Sequence, residues 1–502
     1  MAAASSVVET FLAWSERTPA KHCFIFEGIT LTYAQLAERV RLFAGALLAW
    51  GLAPSERVAL FMDNSPEFLV AYLGTHLARG VVVLVNTQYR QVELRHILSD
   101  AGVRLCVIDP GLRPELDRIR SELPALARVV ETGPELNDFA RDTVLPLVPL
   151  PQSDDLAVIA YTSGTTGLSK GAMLLHRNLM SNITAIITAW EWAAQDHLLL
   201  CLPLFHVHGL MVGVHGTLVS GASMDLRRRF TAPEVYEVLL TEPITMFFGV
   251  PTMYTRLVQE AAQRAEKPPA LRLYVSGSAP LSPPTFREFA ELFGQPILER
   301  YGMTETLMNL TNPYHGERRP GTVGAPFPGQ AARIVDLRTR ELLPSENDGE
   351  IEVWGPHVFK GYWQQPEATT ASFTADGWFR TGDVGRYSID GYFTITGRAK
   401  ELIISGGYNI YPREVEEVLQ QCPGVAEVAV VGLPDPDLGE QVVAAVVRTD
   451  PLLTAEALIA FCREHLASYK KPRRVDFVDH LPRNALGKLL KQRVRDDLLR
   501  RS

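Results

Sequence analysis

Between residues 57 and 108 the sequence alternates short apolar segments with amphipathic ones. VALFMD, VVVLV and RLCVID have the length and the apolar side chains of buried strands, whereas SPEFLVAYLGTHLARG and ELRHILSDAG repeat apolar residues at helical spacing. Strands that alternate with helices predict parallel βαβ units. The pattern recurs from ITMFFGVP through LRLYVSG, so we expect a layered α/β structure for the first two thirds of the chain.

The pattern of predicted strands and helices changes after about Gly349. Shorter strands with turn residues between them follow, as in RYSIDGYFTITG, where Asp390-Gly391 supplies the residues that a tight turn prefers. A helix EVEEVLQ, two strand candidates VAEVAVVG and QVVAAVVR, a helix AEALIAFCREHLAS and a basic terminal helix complete a smaller α+β unit. At 502 residues the chain is longer than a single hydrophobic core usually supports. We therefore expect a large domain over residues 1–396 and a small one over residues 397–502.

The composition is that of a globular chain and excludes several classes of protein. Hydrophobic residues make up 46% and charged residues 21%, which argues against disordered and fibrous proteins. A net charge of −8 gives no overall attraction to nucleic acid or to anionic lipid. The five cysteines are widely spaced and never form a C-x-x-C pair, which argues against disulfides or a zinc site and fits a cytoplasmic protein.

Neither a membrane span nor a targeting segment is expected. The apolar stretch from Leu198 to Leu218 is interrupted by Pro203, His206, His208 and several glycines. The N-terminal stretch lacks a basic region followed by an apolar run, and its acidic residues argue against a transit peptide. We predict that it forms the first helix of the fold.

The sharpest local motif is the loop YTSGTTGLSKG, residues 161–171, which follows the apolar strand LAVIA. Its glycines, hydroxyl side chains and single lysine can all face phosphate oxygens, which predicts a polyphosphate site. The spacing differs from the Walker pattern because Lys170 lies three residues after Gly167. A solvated surface loop is the alternative interpretation of these residues taken alone.

This loop is the first of six motifs by which the chain resembles the adenylate-forming superfamily of acyl-CoA synthetases, luciferases and peptide-synthetase adenylation domains. The others are GSAP, RYGMTET, WFRTGD, GRAKELIISGGYNIYP and PRNALGK, and they occur in the family's order between about residues 25 and 490. The resemblance implies ligation of an acid to coenzyme A through an acyl-adenylate, with ATP consumed. It also implies that the small C-terminal domain is mobile.

The resemblance implies roles for individual residues toward ATP and Mg²⁺. The pyrophosphate end of ATP is expected to contact the loop residues Thr162, Ser163, Gly164, Thr165, Thr166, Gly167 and Lys170. The adenine is expected to contact Gly277, Ser278, Ala279, Glu299 and Tyr301. Thr304 would bond the α-phosphate, and Glu305 would supply a carboxylate oxygen to Mg²⁺. RYGMTET follows the strand-like PILE segment, so we expect it in a ligand-binding loop; an ordinary surface ion pair is the alternative for Glu305.

Three further sites follow from the same resemblance. Asp383 is the expected ribose ligand, helped by Arg398, although Thr-Gly-Asp could also be a plain turn. Lys488 is the expected adenylation lysine, since an ammonium can orient the two anions that must meet; taken alone it is one cation in a basic run. Gly406 and Gly407 would face the thiol of coenzyme A after the domain rotates at a hinge near Lys400.

The acid is expected to be small, with contacts from His206, Met303 and Arg256. FHVHGL, VPTMYTR and RYGMTETLMN resemble malonyl-CoA synthetases, and a guanidinium can engage the second carboxylate of malonate or methylmalonate. Alternatively, Arg256 faces water and pairs with Glu260. A short- or medium-chain monocarboxylate ligase, a luciferase-like oxygenase and a non-catalytic adenylate-binding protein stay open as alternatives. The expected partners are a small carboxylic acid, ATP and coenzyme A, and the sequence does not indicate an oligomeric state.

Overall fold

The computed structural model describes residues 4–141, 143–144, 146, 148–162, 169–406, 408–483 and 489–501. These residues form two compact units. The larger runs to Ala331 and includes Val353–Phe379, and the smaller consists of Ala332–Glu352 and the described residues from Arg380 onward. The predicted boundary at residue 397 marks the start of the domain that is expected to rotate, and it stays a prediction.

The strands and helices are numbered in chain order. The strands are β1 (His22–Phe26), β2 (Ile29–Thr32), β3 (Arg57–Phe61), β4 (Val81–Leu84), β5 (Val103–Ile108), β6 (Arg128–Glu131), β7 (Leu156–Thr162), β8 (Lys170–Leu175), β9 (His197–Leu200), β10 (Ser223–Leu226), β11 (Met246–Gly249), β12 (Leu273–Ser276), β13 (Leu298–Met303), β14 (Leu307–Thr311), β15 (Ala325–Pro326), β16 (Ala331–Val335), β17 (Gly349–Trp354), β18 (Gly361–Tyr362), β19 (Phe379–Tyr387), β20 (Phe393–Arg398), β21 (Ile403–Ser405), β22 (Tyr408–Ile410), β23 (Val425–Asp435), β24 (Gly439–Arg448) and β25 (Arg474–Phe477). The α-helices are α1 (Val7–Arg17), α2 (Tyr33–Trp50), α3 (Pro66–Leu77), α4 (Gln91–Asp100), α5 (Arg113–Asp117), α6 (Pro134–Ala140), α7 (His176–Trp190), α8 (His215–Ser220), α9 (Ala232–Thr241), α10 (Pro251–Ala261), α11 (Pro283–Phe293), α12 (Pro366–Ser372), α13 (Pro412–Leu419), α14 (Ala455–His465) and α15 (Lys491–Leu499).

Two sheets form the large unit. Among the described residues one sheet has nine strands in the order β15-β14-β13-β12-β11-β9-β10-β1-β2, and the other has seven in the order β18-β8-β7-β4-β3-β5-β6. The inner strands are parallel, as the pairing of β3 with β4 and β5 shows, and antiparallel strands lie toward the edges. The predicted βαβ units and the α/β fold class are therefore confirmed.

Local sequence explains where the first helices begin. The Ser6 hydroxyl accepts a hydrogen bond from the backbone N–H of Glu9, which caps α1, the predicted first helix. Thr32 and Gln35 form a reciprocal capping box at the start of α2. Ser65 caps α3, in which every residue except Glu67 is buried. Within the described residues no helix is both long and apolar enough to cross a bilayer.

The core beneath β11–β13 is rich in aromatic rings. Phe289 and Phe293 stack with ring centroids 4.1 Å apart, and Tyr274 meets Phe289 edge-on at 4.9 Å. Tyr254 of α10 is fully buried in the same cluster, and its hydroxyl donates to the carbonyl of Val275 at 2.7 Å. This packing fixes the carboxyl ends of β12 and β13, where the predicted adenine-binding residues begin.

The small unit contains two antiparallel sheets. β16-β17-β19-β20 form one, and β22-β21-β24-β23 form the other, with β25 added parallel to β24. The two strands predicted from VAEVAVVG and QVVAAVVR are β23 and β24, and they pair along their full length. The predicted hairpin at Asp390-Gly391 joins β19 to β20, and Gly391 has a φ of 89°, which glycine adopts without strain.

Candidate active site

Two strands of the large unit hold the ends of the predicted phosphate loop. β7 and β8 pair antiparallel, with Thr162 opposite Lys170 across the hairpin. The loop residues between them, Ser163, Gly164, Thr165, Thr166 and Gly167, lie outside the described residues. The ladder therefore fixes where the loop leaves and re-enters the sheet, and Lys170 begins the returning strand.

A tyrosine that sequence reasoning did not select connects Lys170 to the predicted magnesium ligand. The ammonium of Lys170 lies 5.1 Å from the ring centroid of Tyr362, within cation–π range. The hydroxyl of Tyr362 donates a hydrogen bond of 3.0 Å to Oε1 of Glu305. Burial, followed by the charge of Glu305, raises the pKa of Tyr362, so its hydroxyl keeps the proton that it donates.

Glu305 lies in the turn between β13 and β14. Its side chain is buried, and its backbone carbonyl accepts a hydrogen bond of 2.8 Å from the N–H of Phe359. The preceding residue, Thr304, is half-buried in the same turn. A buried carboxylate with one oxygen held by Tyr362 fits the role of one oxygen ligand to Mg²⁺, which usually takes its remaining ligands from phosphates and water.

The predicted adenine-binding segment Gly277–Ala279 leaves the sheet beside Glu299 of β13. β12 and β13 are parallel, with Ser276 opposite Glu299, so the segment Gly277–Ala279 begins next to the glutamate. Oε1 of Glu299 accepts a hydrogen bond of 2.9 Å from the backbone N–H of Leu281. Glu299 therefore positions this segment, and its role toward adenine stays a prediction.

β13 is longer than the sequence suggested. Tyr301 and Met303 were expected in a loop after the strand, but both lie on β13 because this strand continues in an antiparallel pairing with β14. The Tyr301 hydroxyl lies 3.9 Å from the sulfur of Met303, which places the two side chains on one face. The turn thus starts at Thr304, directly after the last residue of β13.

The segment FHVHGL, residues 205–210, is predicted to contact the acid and is called the acyl segment. It follows β9 and leads into a π-helix, His208–Val214. π-Helical turns are rare and occur often at functional sites. His206 is half-buried, and its Nδ1 accepts a hydrogen bond of 3.3 Å from the backbone N–H of His208. His208 is 1% exposed, and burial, followed by the charge of Arg300, lowers its pKa well below the ordinary value, so the ring is neutral.

Arg256 lies on α10, on the side that faces away from the core. Tyr254, Leu257 and Val258 form the buried face of this helix, and Arg256 is exposed. The alternative partner Glu260 pairs with Arg264 at 2.8 Å instead. Arg256 makes no ion pair within the part of the chain that the structure describes, and its contact with a second carboxylate stays a prediction.

In the small unit the predicted ribose ligand and its helper are paired. Nε of Arg398 lies 2.9 Å from Oδ1 of Asp383, and the two residues face each other in the β19–β20 ladder. The hydroxyl of Thr381 accepts from the backbone N–H of Asp383 at 3.0 Å and donates to the carbonyl of Ile351 at 2.6 Å. Asp383 is thus held in strand β19, and its carboxylate is oriented by an arginine on the neighbouring strand.

Two of the remaining predicted residues of the small unit, Lys400 and Gly406, lie close to β21 in the sequence. Lys400 is exposed in a single 3₁₀ turn, Ala399–Glu401, directly after β20. Gly406 has a φ of 57°, and its N–H donates to the carbonyl of Leu438 at 2.9 Å. Gly407 and Lys488 lie outside the described residues.

Two family profiles match the chain in order. The AMP-binding enzyme family matches residues 11–363, and the AMP-binding enzyme C-terminal domain matches residues 414–488. The chain belongs to the AMP-binding enzyme family. Its order of motifs, its fold and its relatives identify this AMP-binding enzyme as an AMP-forming acid–CoA ligase.

This AMP-binding enzyme is similar to proteins whose names give different acids. ATP-bound MatB from Rhodopseudomonas palustris is 40% identical, with 98% of both chains covered and a TM-score of 0.91. The malonate–CoA ligase of Arabidopsis thaliana is 35% identical over 89% of this chain and 79% of its own length. The long-chain-fatty-acid–CoA ligase of Salmonella typhimurium is 34% identical over 98% and 94%, respectively. The acid is therefore not decided by overall similarity.

Proposed function

We propose that this ligase activates malonate or methylmalonate and transfers the acyl group to coenzyme A. One carboxylate of the acid attacks the α-phosphorus of ATP, which forms the acyl-adenylate and releases diphosphate. The thiol sulfur of coenzyme A then attacks the acyl carbonyl carbon, the thiol gives up its proton, and AMP leaves. The products are the acyl-CoA, AMP and diphosphate.

The residues described above fit the first of these steps. Lys170 and the loop before it would hold the phosphates, and Thr304 would bond the α-phosphate. When bound through Glu305, Mg²⁺ would offset the negative charge of the phosphate oxygens. Lys488 would bring the acid's carboxylate to the α-phosphorus, since an ammonium between two anions lowers the cost of their approach. Asp383 would accept hydrogen bonds from the ribose hydroxyls.

A small, polar acid is supported by the acyl segment. His206 lies two residues before the π-helix and His208 begins it, in a segment where a long-chain ligase needs an open apolar tunnel. This segment also lacks the acidic residue that an amino-acid substrate requires for its amine. The similarity to ATP-bound MatB and to the malonate–CoA ligase of Arabidopsis thaliana supports malonate, whereas the similarity to a long-chain-fatty-acid–CoA ligase supports only acid–CoA ligation.

A substrate panel tests the proposal. Acetate, butyrate, octanoate, malonate, methylmalonate and succinate are each supplied with ATP, Mg²⁺ and coenzyme A, and the release of AMP is measured. We expect the highest kcat/KM with malonate or methylmalonate. A higher kcat/KM with butyrate or octanoate overturns the proposal and favours a monocarboxylate ligase.

A further inference from the structure

Helix α4 contacts the chain on both sides of the predicted phosphate loop. On the outgoing side, the hydroxyl of Tyr161 on β7 donates a hydrogen bond of 2.6 Å to Oδ2 of Asp100. On the returning side, Nε2 of His96 lies 2.7 Å from the carbonyl oxygen of Ser169, and the ring nitrogen is the donor because a carbonyl only accepts. His96 and Asp100 are four residues apart on α4, so they lie on one face of this helix.

The contact with Ser169 lies beyond the β7–β8 ladder. The ladder ends at the pair Thr162 and Lys170, so the carbonyl of Ser169 falls just outside it. A trans peptide is planar, and a donor that fixes this carbonyl therefore also fixes the backbone nitrogen and Cα of Lys170. His96 thus orients the residue whose ammonium is predicted to meet the phosphates of ATP.

The contact with Tyr161 depends on the residue across the hairpin. Tyr161 is opposite Gly171, and a Cβ placed on Gly171 would lie 3.2 Å from Cζ of the tyrosine and 2.7 Å from a methyl carbon of Ile159. The glycine thus leaves room for the tyrosine ring, whose hydroxyl reaches α4. Burial, followed by the hydrogen bond to Asp100, raises the pKa of Tyr161, so the hydroxyl keeps the proton that it donates.

The C-terminal end of α4 is itself held by neighbouring side chains. The indole N–H of Trp363 donates to the carbonyl of Asp100 at 3.0 Å. Arg57 of β3 donates to the carbonyls of Ala101 and Gly102 at 2.6 and 2.9 Å, directly after the helix ends. The helix is therefore a fixed element against which both sides of the loop can be positioned.

We propose that His96 and Asp100 are positioning residues for ATP, which set the two ends of the predicted phosphate loop at the spacing that the β- and γ-phosphates require. The inference deepens the proposed function and rests on its first step, because that step places a triphosphate at Lys170. His96 acts through Ser169 and Lys170, and Asp100 acts through Tyr161. Their effect is therefore specific to a nucleotide with β- and γ-phosphates and does not extend to AMP.

The test compares the binding of ATP with that of AMP by calorimetry, with Mg²⁺ present and no acid. His96→Ala should raise the Kd for ATP by about 3- to 10-fold and leave the Kd for AMP unchanged. His96→Gln should restore most of the ATP affinity, because its amide N–H can replace Nε2–H as the donor to Ser169. Tyr161→Phe keeps the ring and should raise the Kd for ATP by about 10- to 30-fold, since the lost bond is to a charged group.

The two half-reactions give a second readout. In His96→Ala, kcat/KM for ATP in adenylation should fall by the same factor as the affinity, whereas thioester formation from a supplied acyl-adenylate should keep the wild-type rate. Arg95→Ala is the matched control, since Arg95 lies on the same helix and donates to Glu122 at 2.9 Å. It breaks a contact of α4 that does not involve the loop and should change neither Kd.

The outcomes separate the inference from the proposed function. Equal rises in the Kd for ATP and for AMP, or equal losses in the two half-reactions, would mean that the variants damage the large unit as a whole, and they overturn the inference. Unchanged ATP binding in His96→Ala or in Tyr161→Phe overturns the role of the helix residue that the variant releases. Because the calorimetry uses no acid, failure of malonate in the substrate panel refutes the proposed acid and leaves this test unaffected.

Discussion

The hydroxyl of Tyr362 donates a hydrogen bond of 3.0 Å to the carboxylate of Glu305, and the ring of the same tyrosine lies 5.1 Å from the ammonium of Lys170. One side chain therefore contacts both a predicted magnesium ligand and a predicted phosphate ligand. Tyr362 is on β18, which pairs with β8, the strand that Lys170 begins. This edge of the seven-stranded sheet thus positions Lys170 and Tyr362, and Tyr362 reaches Glu305 in the turn after β13 of the other sheet.

Replacing Tyr362 by phenylalanine removes the hydrogen bond and keeps the ring beside Lys170. A hydrogen bond to a charged group contributes about 1.5–3 kcal/mol, so adenylation at limiting Mg²⁺ should fall roughly 10- to 100-fold. The loss should be smaller at saturating Mg²⁺ because the carboxylate is still present. Measuring adenylation against Mg²⁺ concentration checks this.

The matched control is Tyr236→Phe, which removes a hydroxyl bonded to the carbonyl of Glu266 at 2.8 Å in the aromatic core. It should leave the Mg²⁺ dependence unchanged. A Tyr362→Phe enzyme with the wild-type Mg²⁺ dependence would contradict the positioning role.

Lys488 is predicted to act in only one half-reaction. Lys488→Ala should abolish formation of the adenylate, since no cation would then bring the carboxylate to the α-phosphate. Thioester formation from a supplied acyl-adenylate should be largely spared. The two half-reactions are assayed separately, with Arg493→Ala, a change at an exposed cation of α15, as the control. Equal losses in both half-reactions would refute the assignment.

Lys400 is the predicted hinge. Proline at this position fixes φ and should restrict rotation, so adenylation should persist while transfer to coenzyme A collapses. Lys400→Ala, which keeps the backbone free, should retain far more of the transfer step. The rate of acyl-CoA production and the adenylation rate are measured for both variants. If the proline variant makes acyl-CoA at the wild-type rate, residue 400 is not the hinge.

Much of the fold could be predicted because its elements are encoded locally. The strand and helix patterns of residues 57–108 lie within a few residues of β3, α3, β4, α4 and β5. The same reasoning could have placed Arg256, because Tyr254, Leu257 and Val258 mark the buried face of α10 and leave the arginine on the opposite one. Helix phase therefore predicts an exposed Arg256, and the contact of Arg256 with the acid stays a prediction.

Contacts between distant segments could not be predicted. Tyr362 lies 57 residues from Glu305, and the register of β18 against β8 depends on how the sheet assembles. For Arg300, which is buried on β13, a local signal did exist, since a charged residue in a strand that continues toward a ligand site is unusual. That its Nε and Nη2 have no hydrogen-bond partner among the described residues, however, appears only when every neighbouring side chain is in place.

Three histidines lie buried close together in the large unit. The rings of His76 and His176 are 4.8 Å apart, and Nε2 of His215 lies 2.9 Å from the hydroxyl of Tyr72. Burial lowers the pKa of His176 and the pKa of His215 to about 3 each. Burial, followed by the charge of His176, also lowers the pKa of His76. All three rings are therefore neutral in the folded protein at neutral pH.

This cluster should make the protein sensitive to mild acid. The unfolded chain protonates each histidine near the ordinary pKa of 6.5, whereas His176 and His215 in the folded protein do so only near 3. Stability is thus fully present above about pH 6.5 and is lost as the pH falls toward 3, with about 2 kcal/mol lost for each of these two histidines between pH 7 and pH 5. His176→Asn should reduce the change in unfolding free energy between pH 7 and pH 5 by about that amount, measured by denaturant titration at each pH. The exposed His480 gives the control, since His480→Asn should keep the wild-type pH dependence. A wild-type pH dependence in His176→Asn would show that this histidine is not held neutral by the fold.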